Sequence, residues 1–262
     1  MERKFISTLS RLIGGGGTAA QAQAAGTNGP AAARAERPNK AYLSAMRIFR
    51  DLSADEIKVV ERSTVMTTAP KGKIVYQPEE TGEILFLIKT GSVHLYRVSS
   101  EGRKFIVQTI GPMTFFGEMA IVGHNMYDLF AEAAEDCLLC VMGRADIERL
   151  LLSKPQIGLR MIEEIGQRMH DVQERLGDSV FKGVPARVAS LLLKVSNDGE
   201  HSIKGLTHQD LADMLGIYRE TVTNALDGLR DEGLVEVSRK EIAILNRDEL
   251  RKVAEEEILR KR

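Results

Sequence analysis

Residues 206–235 read LTHQDLADMLGIYRETVTNALDGLRDEGLV, and the spacing of their apolar side chains predicts two short helices joined by a tight turn. Thr207 is placed to cap the first helix, with Asp210 adding negative charge to its first turn. Leu211 and Leu215 face inward, Ala212 is small where two helices must cross closely, and Gly216 stands where the turn needs a left-handed backbone. Ile217, Val222, Ala225 and Leu229 form the packed face of the second helix, which leaves Arg219, Glu220, Thr223 and Asn224 on its outer surface. Those types suit base edges in the major groove: Arg is bidentate to guanine, Glu accepts from cytosine N4, and Asn pairs with adenine. Any one of them alone is an ordinary solvated helix residue. Four on one surface, behind a helix-turn-helix spacing, point to double-stranded DNA.

Downstream, GLVEVSRKEIAILN (233–246) reads as two strands with a turn at Arg239 and Lys240, a wing whose cations can meet phosphates. A winged helix-turn-helix is therefore expected within 183–262. From Gly183 onward there are 13 Lys and Arg against 15 Asp and Glu, so this domain is not basic overall. Phosphate contacts must rest on the placement of Arg219, Arg239, Lys240, His208 and helix N-termini.

Upstream, from Lys71 to about Val141, the runs GKIVYQ, EILFLIKT, SVHLYRVS, KFIVQTI, LFAEAAE and CLLCVM are short and β-rich, punctuated by glycines. They predict a small antiparallel barrel or sandwich within residues 41–155, an α+β arrangement. FFGEMAIVG (115–123) interrupts them with a glycine and a brief helical segment. Ahead of the strands, Ser53 and Glu56 have the spacing of a capping box. Ala145–Pro155 reads as a helix leading into a longer one over about 156–179, in which Ile162, Ile165, Met169, Val172 and Leu176 recur at three- and four-residue intervals between very polar flanks. That narrow seam suits a parallel homodimer helix (156–182), packing within its own domain being the alternative. Phe181–Pro185 reads as a hinge, with Pro185 in the first turn of the next helix.

At 262 residues two modest domains fit. Residues 14–40, rich in Gly, Ala, Gln, Asn and Pro, are expected to be disordered. Before them Phe5, Ile6, Leu9, Leu12 and Ile13 allow either a short amphipathic helix or a frayed tail, so 1–40 is taken as an extension. The formal charge of −1 gives no global sign of a nucleic-acid partner, no apolar run is long enough to span a bilayer, and no secretory signal is legible. A cytoplasmic protein is expected. Cys137 and Cys140 alternate between faces of a strand and read as buried structural residues rather than a redox pair or metal site. His94, His124 and His170 are scattered as surface or hydrogen-bonded histidines. No catalytic pattern stands out, so neither enzyme activity, metal nor cofactor is expected.

A β-barrel with an embedded Gly-Glu turn, a long helix and a winged helix, in that order, resembles the cyclic-AMP receptor protein/FNR (Crp/Fnr) family. The marks are FFGEMA (115–120), LTHQDLADMLG (206–216) and RETVTNAL (219–226), and the likeness runs from about Ala41 to Leu250. It implies a cyclic-nucleotide-binding-like barrel (a double-stranded β-helix), a homodimer on a palindromic site, and RNA polymerase as a further partner. It also implies that Arg219 and Glu220 read a guanine and a cytosine while Thr207 and Gln209 meet the DNA backbone. Family members often carry Ser before the recognition-helix Arg and Arg five residues after it; here these are Tyr218 and Asn224. The effector pocket implied by the likeness takes in Gly117, Glu118, Met119, Asp128 and Leu129. Glu118 matches the ribose-binding carboxylate, but Asp128 and Leu129 stand where cyclic-AMP-binding relatives carry Arg-Ser or Arg-Thr, and a carboxylate repels a phosphate. A cyclic-AMP effector in the familiar mode is therefore not expected. Two alternatives remain: a cyclic-nucleotide signalling module, or a DNA binder with a degenerate sensor that needs no effector.

Overall fold

The computed structural model describes residues 40–78, 84–117, 129–196, 202–239 and 241–256. They form two compact units. One holds the described residues up to Leu95 together with Gln108–Glu164; the other holds Tyr96–Val107 and the described residues from Ile165 onward.

The first unit opens with helix α1 (Lys40–Ala45), a 3-10 turn (Arg47–Phe49) and α2 (Ala54–Arg62). The capping box at α2 is in place: the Ser53 N–H donates to Glu56 Oε2 at 2.7 Å and the Glu56 N–H to Ser53 Oγ at 3.4 Å, which satisfies two otherwise orphaned helix donors. Strands β1 (Val65–Ala69), β2 (Ile74–Tyr76), β3 (Ile84–Thr90), β4 (Val93–Val98), β5 (Lys104–Ile110), β6 (Phe115–Gly117), β7 (Phe130–Ala133) and β8 (Cys137–Gly143) follow, with the tip of the β4–β5 hairpin, Tyr96–Val107, counted in the second unit. They make two four-stranded sheets, ordered β1-β8-β3-β6 and β2-β7-β4-β5. Alternate residues of both sheets, among them Ile84, Phe86, Leu95, Ala131 and Leu139, share one core, and the Phe86 and Phe116 rings stack at 4.8 Å between centroids. The antiparallel barrel expected from the sequence is thus built. Two of its strands, β1 and β6, lie outside the runs that predict it: β1 (VMTTA) has little alternation, and β6 has three residues.

Gly117 ends β6 with φ +132°, and a Cβ there would lie 2.1 Å from the Ile84 carbonyl oxygen. The β3–β6 pairing therefore demands glycine at this position. The expected helical segment after it, with Glu118, Met119 and Asp128, lies outside the described residues.

Helices α3 (Arg144–Ser153) and α4 (Pro155–Phe181) come next. At 27 residues, α4 outruns the span expected for it at both ends. Along it Ile162, Met169, Val172 and Leu176 are exposed, at 59%, 61%, 44% and 65%, and Ile165 is half-buried. The Lys182 N–H still donates to the Asp178 carbonyl at 3.0 Å, so helical bonding persists one residue past α4. Gly183 is extended (φ −69°, ψ 167°) and caps α5 (Val184–Val195), with Pro185 in its first turn.

Beyond α5 lie β9 (Ser202–Lys204), α6 (His208–Leu215), α7 (Arg219–Asp231), β10 (Val235–Ser238), β11 (Glu241–Ile244) and α8 (Arg247–Glu255). Val188, Leu192, Leu211, Val222, Leu229 and Ile242 unite these elements around one core. The wing is a three-stranded sheet, β10-β11-β9. Its outer strand β9, three residues long, is too short to have been legible in the sequence.

Candidate nucleic-acid interface

Thr207 and Asp210 form a reciprocal capping box at α6. The Asp210 N–H donates to Thr207 Oγ1 at 3.2 Å and the Thr207 N–H to Asp210 Oδ2 at 2.7 Å. Asp210 therefore does more than complement the helix dipole, since its carboxylate satisfies the N-cap amide. Gly216 ends α6 in the left-handed region, φ +66°, as the turn requires. From α5, the Arg187 guanidinium donates to the Leu215 carbonyl at 2.6 Å and holds the end of α6 from behind. Tyr218 then caps α7 from an extended backbone without a side-chain cap bond.

Helix α7 buries Val222, Ala225, Leu226 and Leu229. Arg219, Glu220 and Asn224 are exposed on the opposite face, while Thr223 is half-buried between the two faces. The Thr223 hydroxyl donates to the Arg219 carbonyl at 3.0 Å and lies 2.9 Å from His208 Nδ1 on α6. Thr223 and His208 thus meet each other, joining the two helices. Gln209 is exposed, its amide donating to Asp213 Oδ1 at 2.7 Å. Arg239 is exposed at the tip of the wing, next to the Ser238–Glu241 pair that closes it; Lys240 lies outside the described residues.

Two neighbours of this surface carry no sequence signal of their own. The Arg103 guanidinium carbon sits 4.6 Å from the Tyr218 ring centroid, a cation–π contact. Phe105 packs so closely on Gly216 that a Cβ there would lie 2.9 Å from the ring.

On the barrel, Leu129 is half-buried and packs against the core. Cys137 and Cys140 are both buried and unpaired, and burial raises both thiol pKa values. Cys137 donates to the carbonyls of Ser92 and Glu135 at 3.2 and 3.3 Å. His94 Nδ1 lies 3.0 Å from Thr109 Oγ1, and His170 pairs with Glu174 at 3.6 Å; His124 lies outside the described residues. Among the described residues no cluster of His, Cys, Asp and Glu could hold a metal ion, and no helix is long and apolar enough to cross a membrane.

Comparison with known proteins matches residues 66–154 to the cyclic nucleotide-binding domain and residues 186–253 to the Crp-like helix-turn-helix domain. The chain is 28% identical over 188 residues to the cyclic AMP receptor protein of Thermus thermophilus, covering 72% of this chain and 87% of that one. It is 25% identical over 210 residues to the CRP-like cAMP-activated global transcriptional regulator of Mycobacterium tuberculosis, covering 78% and 94%. Among solved structures, a Crp/Fnr-family regulator from Eubacterium rectale superposes with a TM-score of 0.68 at 25% identity, covering 80% of this chain and 98% of that one. A cyclic nucleotide-binding barrel followed by a Crp-like helix-turn-helix, matched in that order and over most of the length of these regulators, places the chain in the Crp/Fnr family of transcription regulators.

Proposed function

We propose that this regulator binds a two-fold symmetric DNA site as a homodimer, with α7 in the major groove and the effector-binding barrel responding to a ligand other than cyclic AMP. The observation that carries the DNA reading is the surface of α7. Arg219, Glu220 and Asn224 are exposed together at the N-terminal end of a helix whose opposite face is buried and whose approach is fixed by Gly216. Thr207, His208, Gln209, Arg239 and Lys240 are proposed to meet the phosphate backbone, with Thr223 beside the base-reading residues. The exposed stripe Ile162, Met169, Val172 and Leu176, with Ile165 along it, supports the dimer: four large apolar side chains at heptad-like spacing on one helix are costly to leave in water. RNA polymerase is proposed as a further partner.

The domain match over 66–154 supports a ligand-binding barrel. Asp128 and Leu129, at the positions where a cyclic phosphate would need a cation and a hydroxyl, argue for a different ligand. Footprinting on genomic fragments tests the proposal. Protection of two half-sites about one helical turn apart, roughly 34 Å, is expected; protection without two-fold symmetry overturns it.

A further inference from the structure

The second unit carries a half-open cleft of about 1210 Å³ between the β4–β5 hairpin, the last turns of α4, helices α5 and α8, and the end of α6. All of its lining residues belong to that unit. Eight Lys and Arg side chains line it against three Asp and Glu; Lys182 pairs with Asp178, and Arg103 and Arg251 pair with Glu101 and Asp248 beside the cavity, so the excess cations are Arg97, Lys104, Arg175, Arg187 and Lys194 against Glu174 and Glu255. Two of these cations are engaged by backbone carbonyls, which leave their charge uncancelled: Arg175 donates to Val107 O at 3.0 Å and Arg187 to Leu215 O at 2.6 Å. Lys194 is exposed at the rim.

The rest of the lining is apolar and mostly aliphatic. Val98, Phe105, Val172, Leu176 and Phe181 are each between 43% and 65% exposed, yet all border this one cavity. Deeper in, Leu191, Met214 and Ile217 are half-buried. Among the described residues no Asn, Gln, Thr or His lines it, and its neutral polar side chains are serines. A heterocycle such as a nucleobase, which needs donors and acceptors along its edge, would find few partners here. A long apolar body with one anionic end meets both features of the wall.

From this we infer that the cavity is a binding site for an aliphatic carboxylate, its chain lying along Phe105, Leu191, Met214 and Ile217 and its head group among the rim cations. The site goes beyond the DNA-binding reading. Val172 and Leu176 also belong to the proposed dimer seam, so the apolar wall left to a ligand in the dimer is Val98, Phe105, Phe181, Leu191, Met214 and Ile217. Phe105, part of that wall, rests on Gly216, and Arg103 beside it covers Tyr218. A chain lodged against Phe105 therefore presses on the turn that starts α7.

Titration of the full-length protein with dansyl-undecanoate, read by its emission, tests the site without DNA, so its outcome is separate from that of footprinting. Saturable binding is expected, displaced by hexanoate, octanoate, decanoate and laurate with affinity rising about fourfold per added methylene, and not displaced by dodecyltrimethylammonium. The double substitution Lys194→Glu with Arg251→Glu should weaken binding about tenfold. Met214→Trp, which narrows the cavity and leaves its charge alone, should also weaken it and serves if the double variant does not fold. Absence of a saturable signal, equal displacement by the cationic amphiphile, or unchanged affinity in both variants overturns the inference.

Discussion

His208 Nδ1 lies 2.9 Å from Thr223 Oγ1, and this contact joins the two helices of the helix-turn-helix. The one proton of the Thr223 hydroxyl is directed at the Arg219 carbonyl, so the imidazole is the donor to Thr223 and carries its proton on Nδ1. Thr223→Val keeps the shape, removes the acceptor and strands that N–H. Urea denaturation should show a loss of about 1 kcal/mol, with Thr223→Ser retaining most of the stability.

Arg219 and Arg239 are both exposed cations, one at the start of α7 and one at the tip of the wing. Under the proposed docking they do different work. Arg219→Ala should cost about 1–3 kcal/mol in affinity and relax preference at one base pair in a gel-shift selection. Arg239→Ala should weaken all sequences alike and reduce the salt slope of binding by about one.

The exposed α4 stripe gives a third expectation. Met169, at 61% exposure, stands in the middle of the seam. Met169→Glu places like charges opposite each other in a dimer and should shift sedimentation from dimer to monomer, while a single α7 domain keeps its fold. An unchanged sedimentation coefficient counts against α4 as the interface.

Glu56 makes stability depend on pH. The Lys154 ammonium bonded to it, followed by its bonds with Ser53, lowers the carboxyl pKa from 4.5 to about 2. A depressed folded-state value means that the stabilisation is present above 4.5 and is lost as pH falls through about 2. Thermal melts of Glu56→Gln and the parent protein should therefore differ at neutral pH and converge between those two values.

Residues 206–235 were legible because their determinants are local. A cap, a capping partner three residues on, a left-handed glycine and a helical apolar period each declare themselves within one turn. The barrel was legible through alternation, which also survives in a short window. Pairing partners were not. The three-residue β6 and β9 acquire meaning only beside Leu85–Leu87 and Glu241–Ala243, far away in sequence. The same holds for the site. Arg219, Glu220 and Asn224 stand on the exposed face assigned to them, but Thr223, grouped with them by spacing alone, is half-buried against His208. Arg103 and Phe105, in an unremarkable polar hairpin, gave no hint that they touch Tyr218 and Gly216.

Lys182 is still bonded into the end of α4, and its ammonium is anchored to Asp178 at 2.8 Å and Ser190 at 3.2 Å. The link to α5 therefore narrows to Gly183, an elbow with only about two soft torsions. Such a joint bends about few axes and stretches along none. If the two reading heads are mounted on a shared α4 pair, the phase between half-sites becomes a dimension the protein imposes on its operators: inserting one base pair turns one half-site by roughly 34° around the duplex axis, a rotation that has to be absorbed by the torsions of one residue on each side.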